Sequence, residues 1–394
     1  MSAAIEPAIF TASFREPGAL SDNIRVLTIT PFYPSALDAS QGRFVSGPLE
    51  RIAEFGISNE TVAVQPFYRR GSRAKNTWAN YFAIPGNLGL ASAGGFLGAR
   101  LSRKINERNR HFDLIHAHAA LPCGHAAAVL SKRLGIPFAV TVHGLDAFFT
   151  RQGGSLFGRL CRRAAEHVYR SARAVICISE KVREEVLKGV PANTKLVYNG
   201  IDPELFSPSG EGDLQRTVLS VGNLIPTKGH LDLLRAFAAA TSDMPDCKLE
   251  IIGDGPERGR LMGRAADLGI ASRTVFRGRR TQEYVADAMR RCSVFALPSR
   301  YEGLGCVYLE AMACAKPVIA CHGQGIGEII EHERNGFLVA PADISQLSDS
   351  LHELLLKPNL CRQIGAAARN LILQRFTLEH QAKQLAAIYR ECAA

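Results

Sequence analysis

The sequence predicts an α/β protein built from two Rossmann-like, doubly wound parallel-sheet domains that face a central cleft. Three observations carry that prediction. Short apolar runs alternate with helical stretches along 394 residues, the order of a parallel sheet. The runs lack polar–apolar alternation, as strands buried on both faces do. A turn-rich segment, Asn199-Gly-Ile-Asp-Pro203 followed by Pro208-Ser-Gly-Glu-Gly212, divides the series in two.

In the first half, Ile24–Thr30 is a compact apolar strand ending in the loop Pro31-Phe-Tyr-Pro34. Gln41-Gly42-Arg43 then opens a helical stretch to Glu54. Thr61–Pro66 reads as the next strand, and a basic, glycine-rich region runs to Gly98 before a helix through Arg110. Strands follow at Phe112–His118, Phe138–His143, Ala174–Ser179 and Lys195–Tyr198, with helices at Gly124–Leu134 and Glu180–Lys188. Ser179 is the natural N-cap of the latter helix. The second series runs Thr217–Gly222, Lys248–Gly253, Thr274–Gly278, Ser293–Pro298, Pro317–Ala320 and Gly336–Val339, and closes with an amphipathic helix, Leu378–Cys392. The division expected is a first domain over 1–199, a linker over 200–213, a second domain over 214–377 and a terminal helix over 378–394.

Composition narrows the class. Apolar residues make up 46% of the chain and mean hydropathy is near zero, the balance of a soluble globular protein. No uncharged apolar run reaches the ~18–20 residues of a membrane span. Met1–Leu20 carries Glu6, Arg15 and Glu16 and no apolar core, so it reads as a loose leader rather than a secretory signal. Ten cysteines form no C-x-x-C pair and no zinc-like spacing with histidine. Buried reduced thiols and a cytoplasmic setting follow. The net charge of +10 sits wholly in the first half: residues up to Lys195 hold 25 basic and 14 acidic side chains. It clusters at Arg69–Lys75, Arg100–Arg110 and Arg159–Arg163. Such a face suits an anionic membrane surface, with each nearby cation contributing about 1 kcal/mol. No aromatic platform or recognised motif points to nucleic acid.

The richest local chemistry lies in Ser299–Ile319. Glu302 and Glu310 sit eight positions apart, with Gly303-Leu304-Gly305 between them and a helix beginning after. Glycines admit a ligand close to the backbone. The N–H groups of Leu304, Gly305, Cys306 and Val307 lie at a helix start, where phosphate is favoured. Carboxylates accept from sugar hydroxyls. This E-x7-E run, with Glu310-Ala-Met-Ala-Cys-Ala-Lys-Pro-Val-Ile and the downstream Gly325-Ile-Gly-Glu-Ile-Ile330, resembles the signature of the retaining glycosyltransferases of family 4, which have the GT-B fold. The likeness spans nearly the whole chain from Ile24.

The resemblance implies a hexosyltransferase that takes a nucleotide sugar, UDP- rather than GDP-linked, as substrate and needs no separate cofactor. A saccharide or lipid-linked acceptor in cell-surface polysaccharide synthesis is the expected partner. It implies that the last helix crosses back onto the first domain. Glu310 would take the ribose hydroxyls and Glu302 those of the transferred sugar. Val221-Gly222-Asn223-Leu-Ile-Pro-Thr-Lys228-Gly229 is similar to the family element whose Arg and Lys bind the diphosphate. Here Asn223 stands at the Arg position, so Lys228 carries more of the charge, with Arg300, Arg279 or Arg280 as compensating cations. Arg279 also resembles residues lying along the nucleobase. His143, in Thr141-Val-His-Gly-Leu-Asp146, is similar to the residue that touches the donor sugar from the first domain; its near-neutral pKa suits either hydrogen-bonding sense. Gly42, and more remotely Arg43, fall where a loop approaches diphosphate and acceptor.

No Asp-x-Asp stands at a strand end, so no metal is expected and cations with backbone dipoles must meet the leaving group. His116 and His118 form an H-x-H without an evident third ligand, which favours a structural or acceptor-side role over zinc. Gly253-Asp-Gly-Pro-Glu-Arg258 has Arg where a dinucleotide fingerprint has its third glycine, Gly323-Gln-Gly-Ile-Gly327 has the wrong spacing, and both read as phosphate-binding turns. A nucleotide-sugar 2-epimerase shares the architecture but would need acid–base groups around C2. A non-catalytic nucleotide-sugar-binding partner would tolerate Asn223.

Overall fold

A computed structural model describes residues 23–34, 42–66, 80–81, 87–144, 156–208 and 216–394. The leader, Gln41, the basic run Arg69–Lys75, Asp146 and the linker stretch 209–215 lie outside the described residues.

Six strands form the first parallel sheet: β1 Ile24–Thr30, β2 Ile57–Ala63, β3 Leu114–His118, β4 Phe138–Val142, β5 Ala174–Cys177 and β6 Thr194–Leu196, in the order β2-β1-β3-β4-β5-β6. The second sheet holds β7 Thr217–Val221, β8 Lys248–Ile252, β9 Thr274–Gly278, β10 Val294–Ala296, β11 Val318–Cys321 and β12 Phe337–Val339, in the order β9-β8-β7-β10-β11-β12. All pairings in both sheets are parallel. In each, the order reverses beside the first strand, and ligands of such sheets bind outside the carboxyl ends there.

The helices of the first half are α1 Arg43–Arg51, α2 Asn87–Glu107, α3 His125–Leu134, α4 Leu156–Ser171 and α5 Glu180–Leu187. Those of the second half are α6 His230–Ala240, α7 Arg258–Asp267, α8 Gln282–Arg291, α9 Cys306–Ala313, α10 Ile344–Leu356, α11 Pro358–Arg375 and α12 Leu378–Ala393. Central strands such as Leu114–His118 and Val318–Cys321 are buried at every position, which explains their unbroken apolar reading.

Helix α4 is not among the helices read from sequence, and two further elements depart from that reading in their bounds. β2 begins at Ile57 rather than Thr61. It pairs with β1 along its whole length, and its polar Ser58, Asn59 and Glu60 are partly or fully exposed, so they look like turn residues. Helix α2 begins at Asn87, inside the stretch that reads as glycine-rich loop. Its glycines serve helix packing: a Cβ on Gly94 would lie 2.6 Å from Cβ of His125, and one on Gly98 would lie 2.8 Å from the carbonyl of Ala126. Small residues thus let α2 approach α3, at a helix-propensity cost of about 1 kcal/mol each.

Helix α12 packs on the first sheet. Leu385, Ala386, Ile388 and Tyr389 join Val26, Leu114, Ala139 and Ile176 in one apolar cluster. The Tyr389 hydroxyl meets His116 Nδ1 at 2.6 Å, and Lys195 pairs with Glu391 at 2.7 Å. Where the linker meets α12, the Ile201 N–H donates to Phe376 O and the Leu378 N–H to Ile201 O. Gly200 presses so close that a Cβ would lie 2.2 Å from Thr377 O.

Candidate active site

The loops at the carboxyl ends of the two sheets meet, and most of the residues singled out from sequence lie on them. After β7, the turn Gly222-Asn223-Leu224 is braced by the turn after β8: Gly222 N–H donates to Ile252 O and Leu224 N–H to Asp254 O. A Cβ on Gly253 would lie 1.9 Å from Gly222 O, and one on Gly255 would lie 2.4 Å from Leu224 O. The Gly253-Asp-Gly255 run therefore serves the close packing of two loops. Asn223 is exposed at the tip. A short 3-10 turn, Pro226–Lys228, and Gly229 at φ 71° then lead into α6.

The Lys228 ammonium pairs with the Glu302 carboxylate from the loop after β10. The two side chains are 17% and 15% exposed, so the pair is largely screened from water. Glu302 N–H donates to Gln324 Oε1 at 2.9 Å, and Gln324 Nε2 donates to Arg300 O at 3.1 Å. Gln324 is buried and fixes this loop. The sequence reading passed over it as part of a spurious glycine run; its signal was a polar residue between glycines beside a buried strand.

Gly305, at φ 82°, caps α9 without a side-chain bond. The N–H groups of Leu304, Gly305, Cys306 and Val307 have no acceptor among the described residues. An oxyanion placed there would meet unspent donors at the positive end of the helix. Glu310, one turn further, accepts no hydrogen bond among the described residues, and burial pushes its carboxyl up from 4.5 to about 7. The thiol of Cys306, next to the Asn199 amide at 3.3 Å, is pushed up to about 12, first by burial and then by Glu310. All ten cysteines are free thiols and nine are fully buried.

The first domain contributes His143, just past β4. Its Nε2 lies 3.0 Å from His118 Nδ1, and its ring is flanked by Phe32 and Phe44. Burial lowers its pKa from 6.5 to about 3. This corrects the expectation of a near-neutral group: burial disfavours the charged form, so the imidazole stays neutral across the physiological range. His116 also falls to about 3, by burial and then by His143. It is bonded on both sides, to Thr141 Oγ1 at 2.7 Å and to Tyr389. The H-x-H pair thus builds a polar column under His143.

His143 meets the second domain through its backbone. A Cβ on Gly303 would lie 2.7 Å from His143 O and 3.3 Å from Gly144 Cα. The Tyr301 hydroxyl donates to Gly144 O at 3.0 Å. Lys228, Glu302, Gly303 and His143 are thereby gathered at one place.

The compensating cations are engaged elsewhere or open to solvent. Arg300 pairs with Asp232 in the first turn of α6 at 2.7 Å. Arg280 lies over the Tyr284 ring at 5.1 Å, and Arg279 is exposed after β9. Gly42, at φ 73°, caps α1, and a Cβ there would lie 2.4 Å from the Phe32 carbonyl carbon, so the α1 start presses on the loop after β1. Arg43 turns along α1 to Glu50 at 2.9 Å.

Known proteins share the sequence pattern and the fold of this chain. The profile of the family described as Glycosyl transferases group 1 matches residues 202–371, and that of Glycosyltransferase Family 4 matches residues 62–205. An uncharacterized glycosyltransferase of Methanocaldococcus jannaschii is 31% identical over 279 residues, covering 71% of this chain and 75% of its own length. The alpha-D-kanosaminyltransferase of Streptomyces kanamyceticus is 30% identical, covering 74% of this chain and 79% of its own. Among solved structures, Anabaena HepE in complex with UDP and glucose superimposes with a TM-score of 0.71 at 22% identity, covering 94% of this chain and 100% of that one.

Proposed function

The chain belongs to the group 1 glycosyltransferases of family 4, and on that premise we propose that it is a retaining hexosyltransferase using a UDP-sugar donor. The observation that carries the reading is the meeting of Lys228, Glu302 and the open N–H groups of α9 at one point of the cleft. HepE, similar in fold, is a structure in complex with UDP.

In the proposed reaction, donor binding separates the Lys228–Glu302 pair. The ammonium turns to the diphosphate and the carboxylate to the sugar hydroxyls, so each ion exchanges one charged or polar partner for another. The diphosphate oxygens rest on the N–H groups of Leu304 to Val307, and Glu310 takes the ribose hydroxyls. Asn223 and Gly222 line the diphosphate turn, and Arg279 lies along the base. His143, neutral, donates or accepts at the sugar from the first domain. The anomeric C–O bond to the diphosphate breaks while the acceptor oxygen bonds to the same face. The acceptor proton passes to the departing phosphate oxygen. Fixed donors aimed at the developing diphosphate charge supply most of the stabilisation, without a divalent metal. A thermal-shift and transfer screen of UDP- and GDP-sugars tests this, with anomeric NMR of the product. Tight UDP binding with neither hydrolysis nor transfer would favour a non-catalytic binding partner instead. An inverted linkage would overturn retention.

The acceptor we propose is a saccharide or lipid-linked sugar of cell-surface polysaccharide synthesis, met at the inner membrane face. Helices α2 and α4 pack together and carry Arg100, Arg103 and Lys104 on one, with Arg108 just past its end, and Arg159, Arg162 and Arg163 on the other. Phe96 is 61% exposed on α2. The Lys104 ammonium is lowered by burial and then by Arg100 and Arg108, the mark of a locally positive surface. No described helix is long and apolar enough to cross a membrane, and the attachment proposed is peripheral. Flotation with vesicles tests it; binding that ignores their anionic lipid content would refute it.

A further inference from the structure

The glutamate of the Gly325-Ile-Gly-Glu328 run has no part in the chemistry above, yet it is among the most fully bonded carboxylates between the two halves. Its oxygens accept the N–H of Glu180 at 2.8 Å and the N–H of Lys181 at 2.8 Å. They also accept the Tyr198 hydroxyl at 2.9 Å. All three donors belong to the first domain, and two are the unspent N–H groups at the start of α5. Around this point the same first turn is tied down twice more. Ser179 caps α5 by accepting from Val182 N at 3.1 Å and donates its own proton to Gly303 O at 2.6 Å. Lys181 donates to Gly323 O and lies over the Tyr301 ring at 5.3 Å. Gly325 completes the wedge: a Cβ there would lie 1.8 Å from Gly303 O.

We propose that Glu328 is a positioning residue: an interdomain latch that plugs the α5 N-terminus into the second domain and so sets His143–Gly144 against Glu302–Gly303. The proposal rests on the glycosyltransferase reading for its kinetic consequence but not for its geometry. In the proposed reading the nucleotide is held by second-domain groups, Lys228, Glu310 and the N–H groups of Leu304 to Val307, none of which bonds to Glu328. Glu328 touches no group proposed to meet the donor. Burial, and then the carboxylate itself, raise the Tyr198 hydroxyl, so it remains a proton donor to the latch at any ordinary pH. A carboxylate suits the position because it accepts from several N–H groups at once at the positive end of a helix. Glutamine would present an amide donor to two N–H donors.

The test uses the full-length chain and three variants, Glu328→Ala, Glu328→Gln and Glu328→Asp. Hydrogen exchange over residues 178–188 and small-angle scattering report the latch without any substrate. Faster exchange at the α5 start and a larger radius of gyration are expected for Ala and Gln, with Asp intermediate. In transfer assays kcat should fall about 10- to 100-fold for Ala while UDP affinity stays within about twofold. Unchanged exchange and unchanged scattering in Glu328→Ala would overturn the latch, whatever the activity. So would a loss of UDP affinity parallel to the loss of transfer, which would place Glu328 in the donor site. If the chain transfers no sugar at all but the exchange and scattering differences appear, the latch stands and the proposed activity does not.

Discussion

Replacing Gly303 by alanine inserts a methyl group between the two domains. The added Cβ would sit 2.7 Å from His143 O and 3.3 Å from Gly144 Cα. Both are backbone atoms, so no side-chain rotation relieves the contact. Reaching the 3.4 Å of ordinary van der Waals contact requires the facing loops to part by the remaining 0.7 Å. Such a shift displaces His143 relative to Glu302 and the α9 entrance by a comparable amount. A misplacement of about 1 Å in a reacting assembly costs roughly 100-fold in rate. The variant should therefore lose about 10- to 100-fold in kcat, with the UDP dissociation constant nearly unchanged. Gly327→Ala is the matched control, since its nearest neighbour, Cys321 O, is 3.9 Å away. Steady-state transfer kinetics with calorimetric UDP titration read both quantities. A Gly303→Ala enzyme with wild-type kcat, or a Gly327→Ala enzyme equally impaired, would refute the argument from interdomain contact.

Two further outcomes follow from buried groups. Burial raises Glu310 from 4.5 to about 7, so between those values the folded chain holds a proton that the unfolded chain releases. Its contribution to stability is thus fully present below pH 4.5 and is lost as pH rises through about 7. Glu310→Gln should flatten that slope in urea titrations. If ribose hydroxyls donate to this carboxylate, UDP affinity should also strengthen from pH 6 to 8 in the wild type and not in the variant; parallel pH profiles would exclude the role. Tyr389→Phe removes the hydroxyl that meets His116 Nδ1 in the core. Leaving that ring nitrogen unpaired should cost about 1–3 kcal/mol of stability, measured by chemical denaturation; an unchanged midpoint would mean that α12 is held by apolar packing alone.

Much of the fold was legible because its strands are short, apolar and buried on both faces, as at Leu114–His118 and Thr217–Val221. Edges and helix packing were less so. Ser58, Asn59 and Glu60 belong to a strand that pairs fully yet leaves them partly or fully exposed, and polarity there looks like a turn. Gly94 and Gly98 look like breakers until α3 is seen against them. At the site, Glu302 and Gly303 stood out in the local run of carboxylates and glycines, whereas Lys228 and His143 were named through the family resemblance. What pattern could not give was the partnership across sequence: Lys228 with Glu302, Gln324 with the Glu302 backbone, Glu328 with α5. Nor could it give the charge state of His143, which is set by three rings from distant segments.

The central claim is that Lys228 and the start of α9 hold a nucleoside diphosphate by themselves. Calorimetric titration of UDP into the wild-type chain and into Lys228→Ala, both in EDTA, tests it directly. The account predicts that UDP binds the wild type in EDTA and that the variant binds at least about tenfold more weakly, the worth of one charge-assisted hydrogen bond. Binding that requires an added divalent ion, or a variant that binds UDP as tightly as the wild type, would contradict it.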